Sequence, residues 1–111
     1  MREISAAIIT AAVAELAVSA CCRLPEEVRA AIGRARATAP SPVGRGILKQ
    51  LEENAAIAAA ETIPICQDTG LAVIFADIGQ DVHIVGGDFT EAVNAGVRQG
   101  YVGGYLRASS V

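Results

Sequence analysis

Ile63-Pro64-Ile65-Cys66-Gln67-Asp68-Thr69-Gly70 divides this 111-residue chain into two parts with different periodicities. Before it, apolar residues recur every three or four positions, the spacing of a helix face. After it, Leu71–Ile78 is a continuous apolar run rich in Val, Ile and Phe, which reads as a buried strand. Pro64 stops the preceding helix and Gly70 permits a turn, so the eight residues form a loop between a helix and a strand.

Upstream, three helices are expected. Ile4, Ile8, Ala12, Leu16 and Ala20 make the stripe of a helix over about 3–22, widened by Ile9 and Val13. It is apolar nearly all round between Ala6 and Ala14, which implies cover on more than one side. Pro25 with Glu26 and Glu27 opens a second helix, over about 25–38, because proline suits the first turn and carboxylates suit the positive end of the dipole. Ser41 and Pro42 open a third, over about 42–62, with Ile47, Leu48, Leu51, Ala55 and Ala58 as its face. No strand is expected within residues 1–60.

Downstream, Gly79-Gln80-Asp81 reads as a turn between Leu71–Ile78 and a second strand, Val82–Val85, giving a hairpin over about 71–85. Asp88 with Glu91 three residues later is a capping-box-like start for a helix over about 88–105. Gly96, Gly100 and Gly104 lie four apart on it, a row that admits close approach of a packed neighbour. The fold class is therefore α+β, helical over 1–62 with a hairpin and helix over 63–111. The end at Ser109-Ser110-Val111 lacks a helix stop or closing element and reads as a cut.

Composition narrows the function classes. A hydrophobic content of 52% and a mean hydropathy of +0.42 are high for so small a domain, and imply cover by a partner or by further chain. The net charge is −3, and residues 61–111 hold only Arg98 and Arg107 against six acids, which is no footprint for nucleic acid. Three cysteines, Cys21, Cys22 and Cys66, form no disulfide framework and suit a reducing, cytoplasmic compartment. Val18-Ser19-Ala20-Cys21 resembles a lipoprotein cleavage site, but Glu3 and Glu15 spoil both the basic start and the uncharged centre of a signal. The same charges argue against a membrane span, which needs about 20 residues with few or none. A single histidine, His83, alternates with Val82 and Ile84 and points away from their face, as a surface residue would.

Within the 63–70 loop stand a thiol, an amide, a carboxylate and a hydroxyl, where loops present functional groups. Cys66 could be a metal ligand, a nucleophile or a redox thiol, or an ordinary buried thiol. Cys21 and Cys22 lie on an apolar helix and read as packing thiols.

Pro64–Gly70, the apolar run after it, Gly79-Gln80-Asp81-Val82-His83-Ile84 and Gly96-Val97-Arg98-Gln99-Gly100-Tyr101 together resemble the α subunit of class I fumarate hydratases. Gly104-Tyr105-Leu106-Arg107 and Met1-Arg2-Glu3-Ile4 extend the resemblance over essentially the whole chain, and tartrate dehydratases share it. The resemblance implies that Cys66 is one of three cysteine ligands of a 4Fe–4S cluster whose fourth iron binds substrate as a Lewis acid. It implies that Gln67 and Asp68 lie beside the substrate and that Arg107 pairs with a substrate carboxylate. The reaction would be reversible hydration of fumarate to (S)-malate, a step of the tricarboxylic acid cycle, or dehydration of L(+)-tartrate. The other cluster ligands would come from later α sequence. The catalytic base would come from a β subunit or region, in a homo-oligomer of the αβ unit, and this portion alone would be inactive.

Two other readings of the residues compete. Asp68-Thr69-Gly70 followed by an apolar run matches an aspartic protease signature, although those enzymes are nearly all β. A non-enzymatic assembly module would fit the apolar content.

Overall fold

Ser5 closes a short strand and opens a helix: its hydroxyl accepts a hydrogen bond from the Ala7 amide at 3.2 Å. The computed structural model describes residues 1–107, and the unclosed end at 109–111 lies outside the described residues. The elements are β1 (Arg2–Ser5), α1 (Ala6–Cys22), α2 (Glu26–Thr38), α3 (Pro42–Glu61), β2 (Val82–Val85) and α4 (Phe89–Gly103). The class is α+β, mostly helical. Within residues 6–38 one stretch of 18 residues is apolar enough to cross a membrane by length and composition, but the chain breaks between α1 and α2 at residues 23–25 and α2 is charged.

The helix starts follow the local chemistry read from the sequence. Pro25 precedes α2, with Glu26 and Glu27 in its first turn. The Ser41 hydroxyl accepts from the Gly44 amide at 3.3 Å, and Pro42 occupies the start of α3. The Asp88 carboxylate accepts from the Glu91 amide at 3.1 Å at the head of α4. Each satisfies an amide that the helix itself cannot. At the far end of α3, Thr62 turns left-handed at φ 52° and ends the helix.

The expected hairpin does not form. Of its two strands only Val82–Val85 exists, and it pairs with Arg2–Ser5 in a parallel two-stranded sheet, Arg2 opposite Val82 and Ser5 opposite Val85. Residues 1–60 therefore do contain a strand, and the first helix starts at Ala6 rather than near residue 3. Ile4 and Ile8 carried the helical spacing across a boundary that the Ser5 cap sets. The turn before β2 is present, with the Val82 amide donating to Gly79 O at 3.1 Å. Leu71–Ile78 is exposed along its length and has no regular secondary structure. A strand exists only through a backbone partner, and among the described residues none lies beside this run.

The chain thus contains two β–α units side by side, β1–α1 and β2–α4, joined by the α2–α3 pair. Parallel strands followed by parallel helices bring α1 and α4 into the closest helix contact of the molecule. A Cβ on Gly96 would lie 2.6 Å from Thr10 O, one on Gly100 2.8 Å from Ala14 O, and one on Gly104 2.7 Å from a Val18 methyl. The glycine row is the packing surface for α1. Thr10 adds a hydroxyl bond to Ala92 O at 2.8 Å. The buried core is small-residued (Ala6, Val13, Cys22, Ala55, Ala58, Ala92, Leu106), and the molecule is elongated, 57 × 28 × 24 Å. His83 is exposed on β2, as its alternation indicated.

Candidate functional site

Pro64 ends the α3 pattern and Gly70 (φ 66°) turns the chain, so residues 63–70 form a loop at the junction of α1, α3 and the C-terminal end of α4. Ile65 is held on both sides. Its amide donates to Cys21 O at 2.9 Å, and its carbonyl accepts from Asn54 Nδ2 at 2.8 Å. The residue before Cys66 is thus bonded to the end of α1 and the middle of α3. The loop folds on itself where Asp68 Oδ1 accepts from the Gly70 amide at 2.9 Å, an Asx turn. The Thr69 hydroxyl then bonds to the Arg107 carbonyl and ties this loop to the segment after α4.

That tie closes one side of an open depression of about 320 Å³. Cys66, Gln67 and Thr69 line it from one segment, Tyr105 and Arg107 from the other, and residues 63–65 supply apolar wall. The structure therefore brings Cys66, Gln67 and Arg107 together across 41 residues of sequence. Asp68 stands in the same loop, engaged in the turn rather than on the wall of the depression. Cys66 is exposed, as a ligand or nucleophile requires.

Sequence reasoning missed three contributors. Asn54 is a polar residue inside a helix whose partner lies 11 residues on, and nothing in its neighbours signals this. Thr69 acts through its bond to Arg107. Tyr105 lines the depression from a left-handed backbone position, which a sequence pattern does not announce.

The other cysteines lie elsewhere. Cys22 is fully buried. Cys21 lines a separate apolar cavity of about 400 Å³ between α1, α4 and residues 69–75, with Leu16, Phe75 and Tyr101. Burial pushes the Cys21 thiol up, and neighbouring Cys22 adds to the rise, so Cys21 stays protonated near neutral pH. Tyr101 is likewise raised, first by burial and then by Cys21. These are packing thiols. Among the described residues, no three His, Cys, Asp or Glu side chains are grouped to hold a metal ion. Asp68-Thr69-Gly70 follows a helix in a mostly helical chain, far from the all-β setting of an aspartic protease.

Residues 10–111 match the family model described as fumarate hydratase (Fumerase). Over 75 residues the chain is 36% identical to the putative L(+)-tartrate dehydratase subunit alpha of Methanocaldococcus jannaschii, a stretch covering 68% of this chain and 26% of that protein. The chain thus spans about a quarter of the length of that curated relative. With the family match running from α1 through the Cys66 loop to the end of the chain, this protein belongs to the fumarate hydratase (Fumerase) family.

Proposed function

We propose that this chain is the N-terminal portion of the α part of an iron–sulfur hydro-lyase acting on a C4 dicarboxylate. The observation that carries the reading is the placement of Cys66, Gln67 and Arg107 around one open depression, on the loop that carries the family resemblance.

The donor set fits one corner of a cluster. Cys66 offers an exposed soft sulfur, and Cys21 and Cys22 face a different cavity or none. One thiolate holds no 4Fe–4S cluster alone, so the two further ligands come from polypeptide beyond this chain. When bound, the cluster supplies an iron that acts as a Lewis acid on a substrate oxygen.

The chain's own residues bind and orient. Arg107 presents a planar fork suited to a carboxylate, at a position fixed by Thr69. Gln67 offers an amide that donates to one substrate oxygen and accepts from a hydroxyl. Asp68, through its turn, sets the direction of the loop between Cys66 and Gly70. A β subunit or region supplies the proton-transfer group and covers the depression, so that water is added or removed in a closed site. A reducing, cytoplasmic setting suits an exposed cluster thiol.

For the substrate, hydration of fumarate to (S)-malate is the first reading. Dehydration of L(+)-tartrate is the second, supported by the 36% identity to a putative tartrate dehydratase α subunit. The test is anaerobic assembly of the complete enzyme with iron and sulfide, followed by assay of both substrates. Cluster absorbance with turnover of either dicarboxylate is the expected result. An assembled protein with neither would overturn the reading.

A further inference from the structure

The geometry points to Tyr105 as a substrate-binding residue of this site, its phenol hydrogen-bonding a polar oxygen of the dicarboxylate beside Arg107. The inference rests on the proposed hydro-lyase function and adds a residue to it.

Three observations converge. First, Tyr105 has φ 57°, in the left-handed region that residues with a Cβ rarely adopt. Gly103 and Gly104 immediately precede it, and a Cβ on Gly103 would meet nothing within 4 Å. Flexible residues are therefore at hand, yet the left-handed position carries a bulky aromatic. Such a residue persists where the surroundings over-determine it; here it closes the end of α4, its amide donating to Val102 O at 3.4 Å.

Second, the surroundings do over-determine it. The Gly104 amide donates to Gly100 O and the Leu106 amide to Tyr101 O, both at 2.8 Å. Leu106 is buried, and the Arg107 carbonyl is held by Thr69. With Leu106 pointed into the core and Arg107 fixed, the left-handed turn directs the Tyr105 side chain outward.

Third, Tyr105 is 89% exposed, yet it lines the depression that Cys66, Gln67 and Arg107 share. At that exposure the ring gains little packing from the described residues. A phenol there can donate to a carboxylate or hydroxyl oxygen while its ring shields the Arg107 contact from water, which strengthens that contact.

The test uses the complete, cluster-loaded enzyme with Tyr105→Phe and Tyr105→Gly. In Tyr105→Phe, KM for the dicarboxylate should rise about tenfold or more, the effect of one hydrogen bond to the substrate, with kcat nearly unchanged. In Tyr105→Gly, KM should rise at least as far, while the unfolding temperature holds or increases because the left-handed strain is gone. Cluster absorbance should be unchanged in both. Unchanged KM in both variants would overturn the assignment, as would a lower unfolding temperature or loss of subunit association, either of which would make Tyr105 structural. Failure of the unmutated enzyme on fumarate and tartrate alike would instead overturn the hydro-lyase reading, and this inference with it.

Discussion

Ile65 has both of its backbone polar groups fixed, and this sets what can be asked of Cys66 next to it. A backbone held from α1 and α3 fixes where the Cys66 side chain leaves the loop, which suits a cluster ligand. Cys66→Ser in the complete enzyme should therefore abolish the brown cluster absorbance and the activity together. Cys21→Ala and Cys22→Ala should keep both, since one thiol is buried and the other lines the apolar cavity. Arg107 gives a second prediction. Lysine keeps the charge and loses the fork. Loss of a charge-assisted bidentate contact costs on the order of 2–5 kcal/mol when its partner stays buried. Arg107→Lys should lower kcat/KM by at least thirtyfold, in the sense of about 2 kcal/mol, and leave the cluster spectrum intact. The loop itself was legible because Pro64 and Gly70 punctuate it and its residue types are those of chemistry. Asn54 and Tyr105 were not, since one acts through an 11-residue separation and the other through a backbone angle.

At the scale of elements, helix caps were readable and strand pairing was not. Ser41, Pro42 and Asp88 mark their helix starts because a cap is a contact within three residues. Arg2–Ser5 has only one large apolar residue, Ile4, and its pairing depends on a segment some 80 residues away. The run at 71–78 has strand composition, and composition carries no information about a partner. The glycine row could be read as a packing surface, and the structure identifies α1 as the neighbour. Gly96→Ala would set a Cβ 2.6 Å from both Thr10 O and Val13 Cβ. Overpacking of this kind costs about 1–3 kcal/mol, against about 1 kcal/mol gained in helix propensity. Because one clashing atom is backbone and cannot swing aside, the net effect should be destabilising. Gly103→Ala meets open space and should be neutral or stabilising by up to about 1 kcal/mol. Urea denaturation of the two variants in the complete enzyme checks the contrast.

At the scale of the molecule, the core is too slight for the apolar content. Phe75 is 93% exposed, and Leu71, Val73 and Ile78 are exposed beside it. Together with the length of the tartrate dehydratase relative, this supports a larger assembly in which the run at 71–78 is covered. Amides of 71–78 should exchange with solvent quickly in the isolated 111-residue chain, and slowly in the complete enzyme. Hydrogen exchange read by mass spectrometry on both samples checks this, and equal fast exchange in both would count against burial of the run. The pairing of Arg2 with Val82 also has a kinetic side. A ribosome adds about 5–20 residues per second, so α1 leaves the exit tunnel roughly 4–16 s before α4 emerges to cover it. During that interval its apolar face is a target for a chaperone, and the first β–α unit cannot complete its fold until the second has been synthesised.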